Sequence, residues 1–213
     1  MPQISSPAKK ELPDRAGKFD VVAMGASAGG LHALRQALSL LPKAFPGSIV
    51  VVQHLAPTHK SWMAELIGRS TQLKVKQAEH GEILLPGVVY VGPPDEHLLV
   101  GRGRIQLAHT QQVRFSRPSI DLLFESVAGT YGPHCIGVIL SGSGKDGAAG
   151  IRTIKESEGT TIVQTPETAE FRPMPEAAIE TGCVDFVLQL SEIGKKLIQL
   201  CCVGVGRYRN KQR

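Results

Sequence analysis

A short apolar run, Val21-Val22-Ala23-Met24, ends in Gly25-Ala26-Ser27-Ala28-Gly29-Gly30, and helical periodicity begins at Leu31. This strand-turn-helix junction constrains the fold more than any other stretch of the chain. Its glycines admit backbone angles and close approaches that a Cβ would block. The helix that follows points free N–H groups back at the turn, where they favour negative charge. A serine held there in a Gly-x-Ser-x-Gly string has the grammar of a nucleophile elbow. The same string also suits a phosphate cradle, so what lies elsewhere in the chain has to separate the two readings.

Strand-like and helix-like segments alternate after the junction. Strands are expected over residues 21–24, 48–52, 135–140, 160–164 and 184–188, with a short one at 73–77. Helices are expected over 31–40, 62–70 with Thr58 or Ser61 as cap, 118–128, 147–157, 175–181 and 192–202 with Ser191 as cap. Residues 88–91, 97–100 and 105–108, separated by Gly92-Pro93-Pro94 and Gly101-Arg102-Gly103, read as antiparallel strands and turns. The pattern predicts an α/β fold: a doubly wound, mostly parallel sheet with helices on both faces and an antiparallel hairpin insertion. The expected organisation is a polar, disordered leader over 1–18, one domain over 19–203, and a basic tail over 204–213.

In an open parallel sheet, sites form at the carboxyl ends of the strands. Ser27 follows the first strand, Gln53-His54 the second, and Ser141-Gly142-Ser143-Gly144-Lys145-Asp146-Gly147 the strand ending at Leu140. A serine, a histidine and an aspartate are the parts of an acyl-transfer triad. His54 would take the Ser27 proton as attack begins and return it to the leaving group. Asp146 would accept a hydrogen bond from the other ring nitrogen. Backbone N–H groups at Ala28, Ser143 and Gly144 are candidate oxyanion donors, one such donor being worth roughly 3 kcal/mol of barrier. The plainer alternatives are a structural histidine and an Asp146 that caps the helix after it. Of the other six histidines, His59 is the substitute candidate for the base.

A dinucleotide site wants an acidic residue about 20 residues past the glycine turn to hold the ribose. That place carries Gln53-His54, and Ser27 stands where Gly-x-Gly-x-x-Gly needs its second glycine. The net charge of +5 is no better evidence for nucleic acid, since Arg207, Arg209, Lys211 and Arg213 supply four of those charges at the chain end. Aromatics at 5% are too sparse for a base-stacking surface. No apolar run is long enough to span a membrane and no signal peptide is evident, so a cytoplasmic location is expected. Cys135, Cys183, Cys201 and Cys202 lack zinc spacing and read as reduced thiols.

These strings together resemble the catalytic domain of the chemotaxis protein-glutamate methylesterases, the CheB family, over residues 19–196. The motifs that carry the resemblance are Gly25 to Gly30, Val52-Gln53-His54, Arg117-Pro118-Ser119-Ile120-Asp121, Leu140 to Ala148, and Met174-Pro175. The resemblance implies that Ser27, His54 and Asp146 form the catalytic triad. It implies hydrolysis of glutamyl methyl esters on cytoplasmic helices of chemoreceptors through an acyl-serine, with deamidation of glutamines as a related activity and no metal or organic cofactor. Arg172, Met174 and Pro175 then mark a candidate substrate loop. Two departures stand out. The 18 leading residues are too few to fold the receiver domain that family members commonly carry, so receiver control in cis is not expected. Ala28 and Ser143 replace the threonine and methionine common in the family, and both touch the expected oxyanion wall. A binding or regulatory member with weak turnover is the alternative to an esterase, and a nucleotide-binding domain is the more distant one.

Overall fold

The structure, a computed structural model, describes residues 20–54, 61–113 and 116–202. The leader, the tail, Thr58 and His59 lie outside the described residues. Nine strands and six helices follow in the order β1 (Val21–Ala26), α1 (Gly30–Ser39), β2 (Ser48–Gln53), α2 (Met63–Gly68), β3 (Lys74–Gln77), β4 (Val88–Val91), β5 (His97–Gly101), β6 (Arg104–Ala108), α3 (Ile120–Tyr131), β7 (Cys135–Ile139), α4 (Ala148–Glu156), β8 (Thr160–Gln164), α5 (Pro173–Ile179), β9 (Phe186–Leu188) and α6 (Leu190–Cys202).

Seven of the strands form one sheet, ordered β3-β4-β2-β1-β7-β8-β9, with every pairing parallel. β5 and β6 pair with each other as an antiparallel hairpin, and β6 also bridges Ile83 through Arg104. Strand alternation divides the core in two, as a period of two residues requires. Val22, Met24 and Ala26 of β1 pack with Leu34 of α1, Ile67 of α2 and Leu197 of α6. Val21 and Ala23 face the other way, toward Phe124 of α3, Ile151 of α4 and Leu98 of the hairpin. Among the described residues no helix is long and apolar enough to cross a membrane.

The doubly wound sheet and its hairpin insertion agree with expectation, and several details correct it. Residues 88–91 are not antiparallel: β4 lies inside the main sheet, parallel to β2 and β3. All four of its residues are buried, the signature of a strand covered on both faces. Its link from β3 carries no helix, which hid the parallel crossover. α6 begins at Leu190, so Ser191 lies within the helix rather than capping it, and α5 begins at Pro173 instead of residue 175. Ser61 Oγ does accept from the N–H of Met63 at 3.2 Å, at the start of α2.

The sheet order sets the site. β1 and β7 are neighbours, yet the chain leaves β1 toward β2 and returns from the far side. The crevice at the carboxyl ends of β2, β1 and β7 is therefore the topological switch point, where ligands of such sheets bind. Gly25 in β1 allows α3 to lie close above it. A Cβ there would fall 2.4 Å from Ile120 Cγ2 and 2.9 Å from its Cδ1. Gly25→Ala is expected to cost about 1–3 kcal/mol through overpacking, read as a lower urea midpoint with unchanged slope.

Candidate active site

The turn that carries Ser27 is shaped by its neighbours on both sides. The Ser27 N–H donates to Ser141 O at 3.0 Å, tying the end of β1 to the end of β7, and the Gly30 N–H closes the turn on Ser27 O at 2.8 Å. Gly29, the residue before α1, has φ 73°, a left-handed conformation. A side chain there would also meet Ser141 Oγ at 2.7 Å and Glu170 Cβ at 2.8 Å, so glycine is required on two counts. α1 has no acidic residue in its first turn. The N–H groups of Ala28 and Gly29 meet no acceptor within the described residues. They remain available as donors in the turn that carries Ser27.

His54 immediately follows β2. Its Nδ1 lies 3.3 Å from Ser27 Oγ and its Nε2 lies 2.9 Å from Asp146 Oδ2. A carboxylate can only accept, so the proton sits on Nε2 and the Nδ1 lone pair faces the serine hydroxyl. The ring is turned the opposite way from the chymotrypsin template, in which Nε2 faces the serine. A contact of 3.3 Å is ordinary for a free site that tightens when substrate arrives. The imidazole is 20% exposed at its side chain and the Asp146 side chain 3%, so the base opens onto solvent while its partner does not.

Asp146 does not cap the helix after it. Gly147 occupies the cap position of α4 with no side-chain cap. The Asp146 carboxylate instead sits at the N-terminus of α3. Oδ1 accepts from Ser119 Oγ at 3.0 Å and from the Asp121 N–H at 3.0 Å. Oδ2 accepts from the Ile120 N–H at 2.7 Å as well as from His54. Burial on its own would raise this carboxyl, but the hydrogen bonds from His54, Asp121 and Ile120 outweigh it and hold the group below its ordinary 3.8. The favour is returned: Asp121 Oδ1 accepts the N–H groups of Gly147 and Gly150 at 2.9 and 2.8 Å, so each helix takes its carboxylate from the other.

Several residues that sequence reasoning left without a role hold this site together. The buried Gln53 side chain donates from Nε2 to Ser27 O at 2.7 Å and to His54 O at 3.0 Å, bracing nucleophile and base from one amide. The Ser141 hydroxyl donates to Ala28 O at 2.8 Å and accepts the Phe171 N–H at 2.9 Å, linking the turn to the segment that carries Glu170. An open cleft of about 510 Å³ results, bounded by Ser27, Gly30, Arg35, Gln53, His54 and Glu170.

Of the other expected site residues, Ala28 also lines the cleft, whereas Ser143, Gly144, Arg172, Met174 and Pro175 lie outside that lining. Ser143 and Gly144 are exposed in the loop before Asp146. Arg172 is exposed and pairs with Glu176 at 3.2 Å. Met174 and Pro175 are buried at the start of α5, where Met174 packs on Gly142: a Cβ on that glycine would lie 2.4 Å from Met174 Cε. They shape the loop from behind. Among the described residues no three or more His, Cys, Asp or Glu side chains cluster as a metal site would require. Burial pushes the Cys135 and Cys201 thiols up to about 12, which keeps them from acting as nucleophiles near neutral pH.

Comparison with known proteins shows what the chain is similar to. The family model described as CheB methylesterase matches residues 22–197. The chain is 40% identical over 183 residues to a Leptospira interrogans protein provisionally assigned as a protein-glutamate methylesterase/protein-glutamine glutaminase, covering 85% of this chain and 95% of that one. It is 42% identical to protein-glutamate methylesterase/protein-glutamine glutaminase 2 of Anaeromyxobacter dehalogenans, covering 88% of this chain and 55% of that one. It is 40% identical to the protein-glutamate methylesterase FrzG of Myxococcus xanthus, covering 93% of this chain and 58% of that one. The crystal structure of the Thermotoga maritima CheB methylesterase catalytic domain superposes with a TM-score of 0.82 at 38% identity, covering 85% of this chain and 98% of that one.

Proposed function

The chain belongs to the CheB methylesterase family, and from that premise we propose that it hydrolyses glutamyl methyl esters on the cytoplasmic helices of chemoreceptors, with Ser27, His54 and Asp146 as its triad. The observation that carries the reading is the aligned pair of contacts from His54, to Ser27 Oγ on one side and to a buried, charged Asp146 on the other.

The geometry suits two acyl transfers in sequence. Ser27 Oγ attacks the ester carbonyl carbon while His54 Nδ1 takes its proton. Asp146 steadies the imidazolium, and the N–H groups of Ala28 and Gly29 receive the oxyanion. The tetrahedral species collapses by breaking the bond to the methoxy oxygen, which leaves as methanol with the proton from Nδ1. Water then attacks the acyl-serine, giving up a proton to Nδ1, and Ser27 departs with it to release the receptor glutamate. A glutamine side chain enters the same route with ammonia as leaving group, which is the proposed deamidase activity. Ala28 and Ser143 then bear on rate and substrate preference, Ala28 through the oxyanion wall.

Two measurements test the reading. Methanol is expected from a methylated receptor, and a fluorophosphonate probe is expected to label Ser27 and no other residue. Folded protein that leaves Ser27 unlabelled would rule out the esterase and favour a binding module without turnover.

A further inference from the structure

The Arg117-Pro118-Ser119-Ile120-Asp121 string and the hairpin both lie behind the triad rather than in the cleft. We propose that His97, the first residue of β5, is a positioning residue that holds the N-terminus of α3 where it grips Asp146. This rests on Asp146 acting as the triad carboxylate.

His97 and Ser119 are both 0% exposed. The Ser119 N–H donates to His97 Nδ1 at 3.2 Å, and His97 Nε2 faces Gln111 O at 3.0 Å. A backbone N–H only donates and a carbonyl only accepts. The two contacts therefore select one form of the ring, neutral and with its proton on Nε2. A residue meant only to fill that volume would be apolar, since a buried polar ring needs both its nitrogens satisfied. Both ring nitrogens are spent on the backbone, one holding Ser119 N–H and the other anchored on Gln111 O.

That position is the one that matters to Asp146. Ser119 Oγ, Ile120 N and Asp121 N are three consecutive donors to one carboxylate, and they move together with residue 119. The hairpin reinforces the same alignment further along α3. The Val100 N–H donates to Ser126 Oγ, and Thr130 Oγ1 donates to Val100 O, each at 3.0 Å. Before it, Arg117 grips Asp95 through Nε at 2.8 Å and Nη2 at 2.6 Å. The insertion thus works as a rear brace: β5 sets the axial position of α3, α3 sets the Asp146 carboxylate, and the carboxylate sets the His54 ring. Displacements well under 1 Å at such a site are costly, since about 1 Å can cost 10²-fold in rate.

The test compares His97→Leu, His97→Gln and Ser119→Ala in the full chain. Two readouts are used: the far-downfield proton resonance of His54 Nε2–H, and the rate of Ser27 labelling by a fluorophosphonate. His97→Leu and Ser119→Ala should each displace or broaden the resonance and slow labelling roughly 10- to 100-fold. Combining them should add little, because they act through one carboxylate. His97→Gln supplies an acceptor for Ser119 and a donor for Gln111, and should restore both readouts to near wild type. A folded His97→Leu variant with the wild-type resonance and labelling rate overturns the proposal. So does a His97→Gln variant as impaired as His97→Leu, which would make the ring a matter of packing. If His97→Leu does not fold, His97→Asn decides, since its shorter amide cannot span Ser119 N–H and Gln111 O together: a folded variant with an unchanged resonance overturns the proposal. The resonance needs no turnover, so an unlabelled Ser27 in wild-type protein would count against the esterase reading and leave the positioning role to be judged on the resonance alone.

Discussion

Ser27→Ala is expected to lower kcat for methanol release by on the order of 10⁶, the size of loss that follows when a serine nucleophile is removed from a working triad. The protein should remain intact. Among the described residues Ser27 Oγ makes only the 3.3 Å contact with His54, whereas the turn around it is held by bonds that the substitution spares: Ser27 N–H to Ser141 O, Gly30 N–H to Ser27 O, and the Gln53 amide to Ser27 O. Measured together, methanol release and the thermal midpoint should separate completely, the first lost and the second moved by no more than a few degrees. Retained turnover in Ser27→Ala would end the acyl-serine mechanism.

Asp146→Asn should show the opposite coupling, with rate and stability falling together. Loss of the carboxylate from a triad lowers kcat about 10⁴-fold by removing the tautomer control and the charge that supports the imidazolium. Here the cost does not end there. Each Asp146 oxygen accepts one backbone N–H, Asp121 on Oδ1 and Ile120 on Oδ2. Whichever way an asparagine amide turns, its NH₂ confronts a buried N–H donor, a loss of about 1–3 kcal/mol. The acid side of the stability profile supplies the check. A carboxyl held below its ordinary 3.8 binds its proton less readily folded than unfolded. Its contribution is therefore present above that value and lost as the pH falls through the lower folded value. The gap in melting temperature between wild type and Asp146→Asn should be widest near neutral pH and close below about pH 3.8. A gap that stays constant down to strongly acid pH would mean that the carboxylate is not the source of the difference.

The parts of the site that were legible in the sequence are those announced by one segment at a time. The β1 junction, the strand before His54 and the loop around Asp146 each combine a continuous apolar run with a chemically suggestive end. Nothing local shows that β2, β1 and β7 are neighbours, because pairing is a long-range property. Residues 88–91 read as antiparallel for a related reason: the buried partners of β4 lie 40 residues away, Val50 against Tyr90, and no helix marks the step from β3 to β4. Gln53 and Ser119 were on the page as letters within motifs. Their roles exist only once two strand ends, or a strand end and a helix start, are brought within hydrogen-bond distance. Met174 and Pro175 illustrate the reverse case, in which a recognisable string serves the loop's packing and stays out of the cleft.

The position of the triad on the central strands has a consequence for how this protein fails under stress. Local opening begins at edges and termini, and strands hydrogen-bonded on both sides open last. Ser27 and His54 ride on β1 and β2, each flanked by a strand on either side, as is β7 ahead of Asp146, while β3 and β9 form the frayable margins. Amide exchange in β3 and β9 should therefore run ahead of any loss of hydrolytic competence. Residual activity becomes a gauge of the central strands alone, and proteolytic nicks confined to the sheet margins would pass unnoticed in a rate assay.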